Sequence, residues 1–225
     1  MERSVQTAQT IGLRARLRGT WIHAVFRRLR EIKRGLMRRS EGEAYLLRRY
    51  ARLHGQSLNL TDPQKFTEKL FHRMIILNRG GHQSFTELSD KYLVRTFVAG
   101  KVGEAYLTKL LWQGNDPNQI PFDALPTEYV IKSNHACRQV IVVKGNADRS
   151  EIRHSVSRWL TTNHYWANRE HQYYQIKPRV LIEEYLKSSD GGGPLDYRFW
   201  CFGGTPEVIQ VDNHAHDINP FLDTR

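Results

Sequence analysis

The sequence predicts an α+β fold built from antiparallel sheets with flanking helices. Helical spacing of apolar residues holds from the N-terminal arm to about residue 103. Short β-branched and aromatic runs separated by turn residues take over from residue 128. These later runs fall close together in pairs, as strands of hairpins do, so the sheets they form run antiparallel.

The elements follow in order. In the arm, Ile22, Val25, Leu29, Ile32 and Leu36 recur at helical spacing, with Arg27, Arg28, Arg30, Lys33, Arg34, Arg38 and Arg39 over much of the remaining surface. This is a basic amphipathic helix. Next, Thr61, Pro63 and Gln64 form a helix-start signature, and Phe66, Leu70, Phe71, Met74 and Ile75 make the buried face behind it. The run NRGGHQS breaks that helix, and spacing through Leu88, Tyr92 and Phe97 resumes it, so residues 61–103 read as a helical pair. A turn-rich connector, GNDPNQIPFDALP, leads to strands at 128–132 and 139–143. A helix from Ser150 to Thr162 turns Ile152, Val156, Trp159 and Leu160 to one side. RVLIEEYL at 179–186 is a strand running into a hinge, SSDGGGP is a linker, and LDYRFWCF pairs with PEVIQVD across GGT.

Charge divides the chain. Of the formal net charge of +11, residues 1–54 carry most, with 14 Lys or Arg against 4 Asp or Glu. Three partners compete for so basic an arm: an anionic membrane surface, a nucleic acid, or the chain's own core. Trp21 and Phe26 beside the apolar stripe favour the lipid interface over nucleic acid, because aromatic rings settle at the headgroup boundary. No apolar run approaches the ~20 residues of a membrane span. Two cysteines, Cys137 and Cys201, are too few for a disulfide framework or a zinc cluster and suit a reducing compartment.

Lys132 is the residue that most needs a chemical reason. It closes an apolar strand and precedes a polar loop, SNHACRQ, whose backbone amides are available to an anion. An ammonium at a strand end calls for a negative partner, and a phosphate meets that need. Downstream, Glu183 and Glu184 end a strand, and alternation sends only one of the two carboxylates to a given face. This order of parts suits a nucleotide cleft.

From about residue 56 onward the chain resembles the TupA-like ATP-grasp family, through FTEKLFHRM, SDKYLVRTFVAGKVGEAYL, LPTEYVIKSNH, KPRVLIEEYL and LDYRFWCFGGTPEVIQVD in the family's order and approximate spacing. The resemblance implies an ATP-grasp-like fold preceded by the basic helix, in which two α+β subdomains grip ATP between antiparallel sheets. It implies that Lys132 pairs with the ATP phosphates, that Asn134 and His135 belong to the loop covering them, and that Glu183, Glu184, Tyr185 and Leu186 form the adenine hinge. Lys91 and Arg95, after Asp90, match a helix that presents basic side chains to the cleft. Asp196 and Arg198 match a strand that meets substrate, with arginine where relatives carry lysine. The implied division is an arm at 1–55, a helical subdomain at 56–125, a nucleotide-binding subdomain and hinge at 126–190, and the start of a C-terminal subdomain at 191–225.

Two departures from the family pattern stand out. Ala136-Cys137-Arg138 replaces the glycine-containing stretch that follows the loop histidine in relatives, and glycine is what lets backbone amides close on phosphate. The late Arg-x-Asp and Gly-Glu strands that supply magnesium ligands in the family are not matched in this sequence, so the resemblance implies a C-terminal subdomain that is incomplete here, and no metal ligands are assigned. His214 and His216 read as a loop pair without metal. The expected function is that of an ATP-dependent carboxylate-amine ligase of cell-surface polysaccharide biosynthesis, with ATP as cofactor and Mg2+ as the family's usual companion. Its partners would be a polysaccharide or amino-acid substrate and an anionic membrane surface reached through residues 12–40. The cytoplasm, at the inner face of the membrane, is the expected location. The alternative is a degenerate, non-catalytic ATP-binding or membrane-associated scaffold. A nucleic-acid binder is disfavoured because the positive charge is confined to the arm.

Overall fold

The computed structural model describes residues 42–80, 83–187, 194–212 and 220–223. The expectations for residues 12–40, for the linker after Lys187 and for His214 and His216 lie outside those residues. In chain order the helices are α1 (Gly42–His54), α2 (Phe66–Gly80), α3 (Gln83–Ser89), α4 (Val94–Val102), α5 (Arg149–Leu160) and α6 (Tyr165–Asn168). The strands are β1 (Leu110–Gly114), β2 (Glu128–Ser133), β3 (Val140–Lys144), β4 (Val180–Glu184), β5 (Asp196–Phe202), β6 (Thr205–Asp212) and β7 (Phe221–Asp223). Helices and antiparallel sheets make this an α+β protein. It divides into two compact units, residues 1–86 with 163–175, and residues 87–162 with 176–225.

The first unit packs α1 on α2. Leu46 and Tyr50, four residues apart and therefore on one helical face, are fully buried with Leu58, Phe71 and Ile75. The helix start predicted at Thr61 to Gln64 falls instead in a turn, where Asn59 Oδ1 accepts the Thr61 and Asp62 amides at 3.0 Å each. Entry into α2 is governed by Glu68, whose Oε2 accepts the amides of Gln64 at 2.9 Å and Lys65 at 3.0 Å, the carboxylate half of a capping box. The Lys65 amide contributes most to holding the Glu68 carboxyl below its usual range. In the return segment Arg169 is buried in a left-handed conformation, its guanidinium 4.6 Å from the Tyr45 ring centre and 4.8 Å from that of Trp166.

The second unit holds a four-stranded antiparallel sheet of order β1-β4-β2-β3 and a three-stranded one of order β5-β6-β7. Alternation along β2 sends Tyr129 and Ile131 into a core with Val143, Val180, Ile182 and, from α5, Ile152 and Val156. The other face of that sheet therefore receives Val130, Lys132, Val140, Val142 and Glu183. The sequence predicts one helix through Leu88, Tyr92 and Phe97; a turn at Asp90 divides it, because Asp90 Oδ1 accepts the amides of Tyr92 at 2.8 Å and Leu93 at 3.3 Å.

Candidate functional site

The centre of the site is Glu183, on β4 and only 4% exposed. Its Oε2 lies 2.5 Å from Lys132 Nζ, and its Oε1 accepts from Arg95 Nη1 at 3.2 Å. Strand pairing explains the meeting, since β2 and β4 are adjacent and Glu183 sits opposite Val130, one alternation from Lys132 on the same face. Arg95 arrives from α4 and is fixed by a second bond, Nη2 to the Thr108 carbonyl at 2.7 Å. Glu183 thus holds two cations, so Lys132 can turn toward another anion without leaving the buried carboxylate unpaired.

Lys91 approaches from the turn between α3 and α4. Its Nζ donates to the Ala136 carbonyl at 2.6 Å, and its amide donates to the Asn134 carbonyl at 3.1 Å, so one residue clasps the loop between β2 and β3 at two points. Burial pushes the Lys91 ammonium below its ordinary range, and the nearby Lys132 charge pushes it further; Cys137, Asp90 and Glu183 pull the other way. Three cations therefore converge beside two carboxylates. An anion is the natural complement to that surplus of positive charge.

The loop residues have inward duties. Asn134 Nδ2 donates to Asp90 Oδ2 and to the Lys177 carbonyl, both at 3.0 Å, and its Oδ1 accepts the Arg179 amide at 2.8 Å. The His135 ring lies between Asn134 Oδ1 at 2.9 Å and the Trp159 carbonyl at 3.1 Å. Both side chains are buried and shape the loop from behind. Sequence reasoning assigned no role to Arg179, whose amide fixes Asn134 and whose guanidinium lies 4.4 Å from the Tyr92 ring centre; the run Lys177-Pro178-Arg179 ahead of β4 was the available signal. Cys137 and Arg138 are exposed at the loop tip. Arg138 takes φ 62°, so this turn makes the left-handed bend at a residue that pays roughly 1–2 kcal/mol for it where glycine would not.

The hinge divides as strand alternation requires. Glu184 points away from Glu183's partners and binds the Lys109 amide at 2.9 Å, while its own amide donates to the Lys109 carbonyl at 3.0 Å. Beyond it, at Tyr185 and Leu186, the chain leaves the sheet. The Tyr185 ring carries Lys144 Nζ 4.5 Å from its centre. An open depression of about 770 Å³ runs along β3, with Val142, Lys144, Asn146 and Tyr185 in its wall. A second, of about 510 Å³, borders Arg95, Tyr92 and Lys109. Lys132 lines neither, whereas Arg95, the other partner of Glu183, borders the second.

Asp196 and Arg198 lie in the separate three-stranded sheet. Asp196 faces Asp212 across the strand pair, and Arg198 Nη2 lies 2.6 Å from Asp212 Oδ2. With Asp212 committed to Arg198, the facing pair offers a divalent ion little, and no group of three His, Cys, Asp or Glu among the described residues is placed to hold one.

The model of the TupA-like ATPgrasp family matches residues 68–216, well over half of the chain. The chain belongs to that family. No curated protein and no solved structure matches it. The family match spans every residue of the Lys132, Glu183, Arg95 and Lys91 cluster, and also the hinge and β5.

Proposed function

We propose that this family member binds ATP on the open face of the four-stranded sheet and acts as a carboxylate-amine ligase in cell-surface polysaccharide biosynthesis. The observation that carries the reading is the pairing of Lys132 with a carboxylate that Arg95 already neutralises, beside a loop clasped by Lys91. A polyphosphate would take Lys132 while Glu183 keeps Arg95. The main chain at Tyr185 and Leu186, where β4 gives way, would meet the edge of the base, with Val130 and Val142 beneath it. In such a ligase a substrate carboxylate oxygen attacks the γ-phosphorus and ADP leaves. An amine then attacks the acyl carbon and phosphate leaves. Asp196 and Arg198 would meet the substrate, and residues 12–40 would hold the protein at an anionic membrane surface on the cytoplasmic side. No helix among the described residues is long and apolar enough to cross a membrane.

A second reading, a non-catalytic ATP-binding scaffold, is favoured by the loop after His135, where Arg138 rather than a glycine takes the left-handed bend. Phosphate release, measured with ATP, magnesium and a panel of carboxylates and amines, separates the two. Turnover that needs all three components supports the ligase. Saturable ATP binding without phosphate release supports the scaffold.

A further inference from the structure

The sequence pattern places Phe66 and Leu70 on the buried face of α2, and the structure does not. Phe71 and Ile75 fill that face, while Phe66 is 64% exposed, Leu70 45% and Ile76 50%. At 100° per residue these three, with Lys69 and Arg73, fall on the side of the helix opposite Phe71 and Ile75. Lys69 and Arg73 are exposed as well, and the guanidinium of Arg73 lies 4.9 Å from the Phe85 ring centre. The single carboxylate of the helix, Glu68, is turned inward onto the Gln64 and Lys65 amides. The outer face of α2 is therefore apolar and basic, with no acidic group on it.

We propose that this face of α2 docks on an anionic lipid surface. Charge decides among the occupants. The arm, with 14 Lys or Arg against 4 Asp or Glu in residues 1–54, would bring like charge to Lys69 and Arg73, and so would the same face of a second copy. An anionic headgroup layer offers the opposite charge to the lysine and arginine and an acyl boundary to Phe66, Leu70 and Ile76, the arrangement an interfacial helix requires. This surface belongs to the first unit and goes beyond the nucleotide reading without resting on it. It is also separate from the arm.

The test places an environment-sensitive fluorophore on the full chain at Leu70→Cys, after Cys137→Ser and Cys201→Ser, both of which replace exposed cysteines outside any disulfide. Phosphatidylglycerol-containing vesicles should brighten the probe about threefold with a blue shift, as for a side chain entering the acyl boundary, whereas pure phosphatidylcholine should not. The same probe at Glu207→Cys, on β6, should not respond. Adding Lys69→Glu and Arg73→Glu should weaken the response at Leu70→Cys about tenfold at low salt. Circular dichroism checks that each variant folds. A dark probe on chain that co-sediments with vesicles would show that another segment holds the membrane, and overturns the proposal. So does failure of the chain to bind vesicles at all. Brightening without lipid, rising with protein concentration, would assign the face to a second copy instead.

Discussion

Glu183 is a buried carboxylate held between Lys132 and Arg95. A buried ion pair gains little net stability, because desolvation offsets the Coulombic attraction, so its value lies in what it keeps poised. Here it keeps Lys132 on the face of the sheet that carries Val130 and Val142. Lys91 gives the neighbourhood a pH signature. Its pKa lies below the ordinary 10.5, so between the depressed value and 10.5 the folded state binds fewer protons than the unfolded state. Stability from this group therefore rises with pH across that window and levels off above it. Urea denaturation across the alkaline range should show Lys91→Met losing ground to the native chain as pH climbs toward 10.5. A difference between the two that does not change with pH would mean that Lys91 is not strained by its charge. That Lys132 and the Glu183-Glu184 pair stand at strand ends, with only one carboxylate on a given face, was legible from the sequence; the roles proposed for them came from the family resemblance. The inward commitment of Asn134 and His135 was not legible, because their partners Asp90, Trp159, Lys177 and Arg179 are distant in sequence and converge only on folding.

At the scale of elements, the hairpin β2–β3 and the helix α5 agree closely with their sequence signals. β-branched runs bounded by polar loops have few other options, and Asp148 marks the start of α5 by accepting the Ser150 amide at 2.8 Å and the Glu151 amide at 3.1 Å. Asp148→Ala should destabilise the protein by about 1 kcal/mol in chemical denaturation, the usual worth of an N-cap. No measurable change would show that α5 is held by its packed face alone. The strand β1, Leu110–Gly114, went unread because it is only half-buried and merges into a turn-rich connector. The division between α3 and α4 went unread for a different reason. Periodicity through Leu88, Tyr92 and Phe97 is continuous, and only the side chain of Asp90, accepting two amides ahead of it, breaks the helix. The face of α2 shows the limit of periodicity most plainly: a helix with apolar residues on two sides gives no sequence cue to which one meets the core.

For the whole molecule, the excess charge and the candidate site occupy different parts of the chain. The excess of Lys and Arg lies in residues 1–54, whereas the Lys132 and Glu183 cluster belongs to the second compact unit. Deleting residues 1–40 should therefore weaken co-sedimentation with anionic vesicles at least about tenfold at low salt, since each lost basic residue near the surface contributes ~1 kcal/mol. ATP affinity should be unchanged. A deletion that lowers ATP affinity and leaves vesicle binding intact would reverse the assignment. The central claim, that Lys132 exists to meet a polyphosphate, is tested most directly by calorimetry of ATP and of adenosine on the native chain and on Lys132→Ala. Loss of a charge-assisted contact should weaken ATP binding by about 1.5–3 kcal/mol and leave adenosine binding nearly unchanged. Equal losses for both ligands, or no loss for either, would contradict the claim and leave Lys132 as the structural partner of Glu183.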